Sequence, residues 1–191
     1  YKSQDRFLIS NKPNIYMSMI ETAEVVSKRY KVARDQQDEY ALQSQQRTAE
    51  AQSKGYFDDE IIPVKTIQAF KNLENDKVDY KEVEISKDEC NRPSTDIFGL
   101  QNLKPVMGED SFITAGNASQ LSDGSSASVL MSMKLAEKRN LNPIGICHGV
   151  AVAGCEPDEM GIGPVYAVPK LLKQNNLKMD DIGLWELNEA F

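Results

Sequence analysis

Beyond Phe112 the chain alternates short apolar runs with helix-patterned stretches, and this alternation limits its architecture more than any other feature. Phe112-Ile113-Thr114-Ala115 reads as a short apolar strand leading into a small-residue turn, Gly116-Asn117-Ala118-Ser119. Asp123-Gly124 then opens a helix that runs through Ser125, Ala127 and Met131 to Arg139. Residues 144–154 read as a buried-type strand, 164–175 as a helix and 184–187 as another strand. This order predicts an α/β architecture in which both faces of a sheet are covered. Pro164 beside Gly163 fits the first position of its helix. Pro169 removes an N–H inside the same helix and is expected to kink it.

The first part of the chain reads differently. Met17, Ile20, Thr22-Ala23 and Val26 recur at helical spacing, with Tyr30 near the end of that helix. A second helix is expected over 34–54, with Tyr40, Ala41, Ala49 and Ala51 among strong helix formers and Gly55 as its stop. Its Gln, Glu, Asp and Arg residues predict solvent on one side. Ala33 stands where a capping Ser would add about 1 kcal/mol. Residues 60–64 read as a short strand whose Pro63 suits a sheet edge. From 65 to 91 the chain is charged and irregular, with a possible hairpin arm over 77–84.

The formal charge of −7 argues against broad binding to nucleic acid or to an anionic membrane surface. A few cations and backbone N–H groups would still suffice for an anionic small molecule. No apolar run reaches the length of a membrane span, and the first residues carry no signal-peptide core. The start without Met and the stop on Phe191, after a strongly patterned segment, suggest cut ends. Cys90, Cys147 and Cys155 are odd in number and lack CxxC spacing. That pattern suits a reducing compartment, cytoplasmic, mitochondrial or peroxisomal, better than a disulfide framework. On one extended strand Cys147 and Cys155 would stand roughly 26 Å apart and hold no metal between them.

Five blocks stand in order along the chain: Glu21-Thr22-Ala23-Glu24, Phe57-Asp58-Asp59-Glu60-Ile61, Thr114 to Ser119 followed by Ser122-Asp123-Gly124, Met160-Gly161-Ile162-Gly163-Pro164, and Glu186-Leu187-Asn188-Glu189-Ala190-Phe191. Together they resemble the thiolase family, which includes acetyl-CoA C-acetyltransferases and 3-ketoacyl-CoA thiolases. The resemblance covers nearly the whole chain. It implies an enzyme that joins or cleaves 3-oxoacyl-CoA through an acyl-cysteine, with CoA thioesters as substrates, no further cofactor and no metal. It also implies a five-layered α-β-α-β-α fold, present here in part. By the same resemblance, residues 1–121 are an inserted loop domain, 122–143 close the N-terminal half and 144–191 begin the C-terminal half. Family members are commonly homodimers or homotetramers.

Residue by residue, the resemblance makes Asn188 the carboxamide that holds a water aimed at the thioester oxygen. An amide suits that role because its dipoles are fixed and do not titrate. Taken alone, an Asn after a strand is more often a helix cap. Ser119 matches a residue that hydrogen-bonds the pantetheine arm of CoA, with Ala115 contributing backbone, though the same residues would form any small turn. Arg92 matches a position facing the nucleotide end, where guanidinium pairs with phosphate and stacks on adenine. Asp88, Glu89 and Asp96 offer it an ordinary surface ion pair instead. Met160 would line the acyl pocket or simply pack in a core, and Ala190 and Phe191 would close over the pantetheine end.

His148, the chain's single histidine, lies within the 144–154 run and reads as a buried, hydrogen-bonded strand residue rather than a general base. No cysteine stands before a helix start of the kind that activates a thiolate, so all three read as structural. The nucleophile would then precede Tyr1, and the acid/base His and Cys would follow Phe191. Gln120 and the run Asp110-Ser111-Phe112 depart from the family pattern and leave the subclass open. Two other readings stand beside the acyltransferase: a non-catalytic CoA-binding or scaffold fragment, and a decarboxylating condensing enzyme. Asn188 argues against the latter, which usually carries His at the water-holding position. The isolated chain is expected to be inactive and to melt without a sharp transition, because bare sheet edges and a half-built core favour aggregation. A cooperative monomeric melt would contradict that expectation.

Overall fold

The computed structural model describes residues 3–73, 75–122 and 124–191. It comprises two compact units, one made of Tyr1–Arg34 with Lys104–Phe191 and the other of Asp35–Leu103.

In the first unit, helix α1 (Arg6–Asn11) is capped by Asp5, whose Oδ1 accepts the Leu8 N–H at 2.9 Å. A 3-10 turn over Pro13–Tyr16 follows. Helix α2 (Met19–Tyr30) begins with a reciprocal cap. The Glu21 N–H donates to Ser18 Oγ at 3.3 Å, and the Ser18 N–H donates to Glu21 Oε2 at 2.7 Å. Met17 therefore lies before the helix rather than on its stripe. The buried residues of α2 are Thr22, Glu24 and Ser27, all polar. Its inward face is built for hydrogen bonds.

Glu24 shows what those bonds hold. Its carboxylate accepts the Phe112 N–H at 2.9 and 3.0 Å and the Ile113 N–H at 2.7 Å. Ile113 and Thr114 are buried beneath this clasp. The 112–115 run carries no strand ladder: the carboxylate satisfies the backbone N–H groups that a neighbouring strand would otherwise take.

The helix expected over 123–139 is shorter than its pattern. Asp123 lies outside the described residues, 124–131 are not helical, and helix α5 spans Met133–Lys138 with Ser132 as its cap. Ser122, Ser125, Ser126 and Ser128 offer the backbone competing hydrogen bonds and disfavour helix, whereas the Met-Lys-Leu-Ala-Glu-Lys run favours it. Helix α6 (Gly163–Gln174) matches the 164–175 expectation, with Pro164 in its first turn and Pro169 inside it. Both α5 and α6 end on an Asn with positive φ, Asn140 at 52° and Asn176 at 53°. In each, the next N–H reaches back to a carbonyl five residues earlier, Leu141 to Ala136 and Leu177 to Leu172.

The runs 144–154 and 184–187 are not strands. Among the described residues, no backbone hydrogen bond ties 144–154 to a neighbour. A strand is stable only when its N–H and C=O groups are paired along a ladder. The run is held instead by α6. Lys170 Nζ donates to the Val152 carbonyl at 2.9 Å, and a Cβ at Gly149 would meet Asn175 Nδ2 at 3.1 Å. His148 and Cys147 are consequently exposed, not buried in a sheet.

In the second unit, helix α3 (Arg34–Ser53) has Asp38 as its buried residue and stops at Gly55, φ 70°. The Tyr56 N–H donates to Ala51 O and the Gly55 N–H to Gln52 O, both at 3.1 Å. Strand β1 spans Val64–Lys71 and pairs antiparallel with β2, Val78–Ile85, from Val64 opposite Ile85 to Lys71 opposite Val78. The expected arm over 77–84 is β2. The stretch read as irregular contains both strands, and the strand placed at 60–64 starts at its last residue, because Pro63 cannot donate to a ladder. A short helix, α4 (Ile97–Gln101), is capped by Asp96.

Replacing Glu24 with Ala removes a charged acceptor from two backbone N–H groups. In the full-length protein it should destabilise the fold by about 3 kcal/mol, read by urea unfolding, with faster amide exchange at Phe112 and Ile113. Glu24→Gln keeps one acceptor oxygen and should lose roughly half as much.

Candidate active site

The small-residue turn after Thr114 is set by one side chain within it. Asn117 Oδ1 accepts the Thr114 N–H at 2.8 Å, and its Nδ2 donates to Phe112 O at 3.1 Å. The Gly116 N–H donates to Thr114 Oγ1 at 3.1 Å. Ala115 is exposed on this turn, and Ser119 closes it. The Ser119 N–H donates to Ala190 O at 3.0 Å, which brings the turn and the 186–191 segment together. The Ser119 hydroxyl donates to Gln120 O at 2.9 Å. A hydroxyl has one proton and two lone pairs, so Ser119 Oγ presents an acceptor, the partner an incoming amide N–H requires.

Asn188 and Phe191 are exposed and Ala190 is half-buried. Among the described residues the Asn188 carboxamide has no hydrogen-bond partner. Asn188 stands two residues from the Ser119–Ala190 bond, so the sequence-predicted Ser119, Ala190 and Asn188 share one locality. Arg92 belongs to the Asp35–Leu103 unit. Its N–H donates to Gln45 Oε1 at 2.8 Å, and its carbonyl accepts the Thr95 N–H at 3.0 Å and hydroxyl at 2.7 Å. Among the described residues no ion pair joins it to Asp88, Glu89 or Asp96.

Met160 sits in a 3-10 turn over Pro157–Ile162 and is 46% exposed. The turn is fastened to α2 by charge. Arg29 Nη2 donates to Asp158 Oδ2 at 2.7 Å, and its Nη1 donates to Glu159 Oε2 at 2.6 Å. Tyr30 Oη donates to the same Glu159 oxygen at 2.8 Å. Hydrogen bonds from Arg29 hold both carboxyls below their ordinary values, and Tyr30 adds to the effect at Glu159. The Tyr30 hydroxyl is pushed up in turn by its bond to Glu159.

A groove of about 520 Å³ lined by Met17, Glu21, Glu24, Val25, Lys28 and residues 107–111 contains none of these candidate residues. Among the described residues no cluster of His, Cys, Asp and Glu could hold a metal ion, and no helix is long and apolar enough to cross a membrane. Sequence reasoning missed the clasp by Glu24, the pin by Asn117 and the Arg29–Glu159 tie. All three depend on partners distant in the chain or on side-chain direction. The presence of Glu24 and Asn117 inside the resembling blocks was the available signal.

Residues 8–134 match the model of the thiolase N-terminal domain, and 141–191 that of the thiolase C-terminal domain. The chain belongs to the thiolase family. It is 46% identical to mouse peroxisomal 3-ketoacyl-CoA thiolase B over 170 residues, covering 89% of this chain and 39% of that one. It is similar to the solved human mitochondrial 3-ketoacyl-CoA thiolase in complex with CoA, with TM-score 0.79 and 38% identity, over 98% of this chain and 44% of the other. It is likewise similar to the dimeric peroxisomal thiolase of Saccharomyces cerevisiae, with TM-score 0.83 and 33% identity, over 99% and 46%. This thiolase chain thus spans less than half the length of those relatives. Its fold is the α/β thiolase fold in part.

The ionic tie makes a pH prediction. Depressed carboxyl values mean that the tie adds stability above the ordinary values of 3.8 and 4.5, and that this is lost as the pH falls through the lower folded-state values. In the full-length protein Arg29→Met should therefore lower Tm at neutral pH. The gap from wild type should narrow below pH 4, measured by thermal melts across the acid range.

Proposed function

We propose that the protein carrying this chain is an acyl-CoA C-acyltransferase. It would catalyse Claisen condensation of acetyl-CoA or thiolytic cleavage of 3-oxoacyl-CoA through an acyl-cysteine formed by a residue outside the chain. The observation that carries this reading is the pinned turn: Ser119, bonded to Ala190, offers an acceptor beside an unpartnered Asn188 carboxamide.

In this reading the turn holds the pantetheine arm. Ser119 Oγ accepts a pantetheine amide N–H, the exposed backbone at Ala115 allows close approach, and Ala190 and Phe191 cover the arm. Asn188 holds the water that meets the thioester oxygen as it becomes anionic, a charge that oriented neutral dipoles stabilise. Met160 faces the acyl group. Arg92, taken by itself in its own unit, is read as the cation for the nucleotide end of CoA. None of the chain's cysteines is assigned the nucleophile. Cys147 is exposed on a segment without a helix start, and Cys155 lies against the Glu159 carbonyl at 3.8 Å.

Residues 1–121 are read as the loop domain, 122–143 as the end of the N-terminal half and 144–191 as the start of the C-terminal half. The gap between the two matched domain models, 135–140, falls inside the middle stretch. The dimeric yeast relative supports assembly as a homodimer or larger homo-oligomer. Relatives named for the peroxisome and the mitochondrion support a compartment of that kind.

In the full-length protein, Asn188→Ala should lower kcat about 10²- to 10³-fold, as loss of one oxyanion-stabilising group does. Steady-state thiolysis of a 3-oxoacyl-CoA measures it. An unchanged kcat would overturn the role of Asn188, and a full-length protein that binds CoA without turnover would favour the scaffold reading.

A further inference from the structure

Glu159 is where the chain bends into Met160. Its backbone, φ −131° and ψ 31°, departs from helical geometry inside the Pro157–Ile162 turn. Contacts from outside the turn fix this bend. Arg29 and Tyr30 converge on one oxygen of the Glu159 carboxylate at 2.6 and 2.8 Å, and Cys155 Sγ reaches its carbonyl at 3.8 Å. The other guanidinium nitrogen grips Asp158 at 2.7 Å, so a single planar fork holds two successive carboxylates and fixes rotation as well as position. Glu159 is 8% exposed and its neighbour Met160 is 46% exposed. The clamp therefore acts on the inner side of the turn and leaves Met160 outside it.

We propose that Arg29 and Tyr30, acting through Glu159, are positioning residues that set where Met160 stands and thereby set the acyl chain-length preference of the site. This rests on the reading of Met160 as an acyl-pocket residue. Methionine is unbranched and adapts its shape, so its place is decided by the backbone beneath it. Neither Arg29 nor Tyr30 touches substrate in this arrangement. With Arg29 replaced, Glu159 keeps Tyr30 alone, and the bend is free to relax. A single methylene in an apolar pocket changes selectivity by roughly 10- to 200-fold, so a small displacement of Met160 is readable as a change in substrate ratio.

The test uses the full-length protein and a series of short-, medium- and long-chain 3-oxoacyl-CoA thioesters. Arg29→Met should change the long-to-short ratio of kcat/KM by about fivefold or more. Arg29→Lys, which can grip one carboxylate but not both, should restore part of the wild-type ratio. The 13C-methyl resonance of Met160, assigned with Met160→Leu, should move in Arg29→Met further than the other methionine methyls. Should Arg29→Met fail to fold, Tyr30→Phe carries the same readouts at a few-fold amplitude. An unmoved Met160 resonance, an unmoved ratio or a uniform loss across all chain lengths would each overturn the inference. A folded wild-type protein that turns over none of the series would instead overturn the acyltransferase reading on which the inference stands.

Discussion

A carboxylate taken out of water must be paired or it does not stay charged, and in the Tyr1–Arg34/Lys104–Phe191 unit that rule shapes α2. Glu24 meets its demand with main-chain N–H groups 88 and 89 residues along the chain. One turn and a half later, Arg29 and Tyr30 reach side chains about 130 residues away. Closing loops of this length costs entropy that grows slowly with their size, and charge-assisted hydrogen bonds are strong enough to offset it. The helix is thus a polar spine that two later segments lean on. Its buried residues are polar and bonded: the Thr22 and Ser27 hydroxyls donate to Met19 O and Val32 O, and Glu24 takes the backbone N–H groups of 112 and 113.

Both halves of the candidate site inherit their geometry from this spine. The Glu24 clasp fixes 112 and 113, Asn117 folds the chain back from there, and Ser119 then meets Ala190. The Arg29 fork fixes 158 and 159 and leaves Met160 at the surface. Charge stays at the supports, while the turn itself offers a hydroxyl lone pair, an amide and small residues. Under the proposed reading, the uncharged pantetheine arm of a thioester would be better met by such groups than by ions, because nothing charged would need desolvating there.

What was legible in the sequence was local. The helices α2, α3 and α6 follow from spacing, from Gly55 as a stop and from Pro164 as a start, all fixed within one or two turns of chain. The arm that became β2 was visible in its alternation, whereas β1 was hidden by lysines, a glutamine and a threonine that an exposed two-stranded ribbon accepts on either face. The serine-rich run before Met133 looked helical by residue size, although hydroxyls near the backbone work against helix. Spacing marked α2 as a helix, but it did not show that the buried positions are Thr22, Glu24 and Ser27. Ser119 and Asn188 were singled out through their motifs. Arg29 and Glu159 were not, since neither residue type nor spacing reveals a partner on a distant segment.

The 144–154 and 184–187 runs show the same division from the other side. Ile144, Ile146, Val150, Val152, Leu184 and Leu187 are all well exposed. Their composition is that of strands buried on both faces, which need neighbours for the ladder and covers for the side chains. Yet a TM-score of 0.79 over 98% of the chain means that the backbone path still follows that of complete thiolases. Local devices keep much of that path: the Lys170–Val152 bond, the close passage of Gly149 by Asn175, and the Asn-terminated ends of α5 and α6. The polar ties around α2 find their partners within this chain. The apolar runs 144–154 and 184–187 have no ladder partner among the described residues, so their large side chains stand exposed.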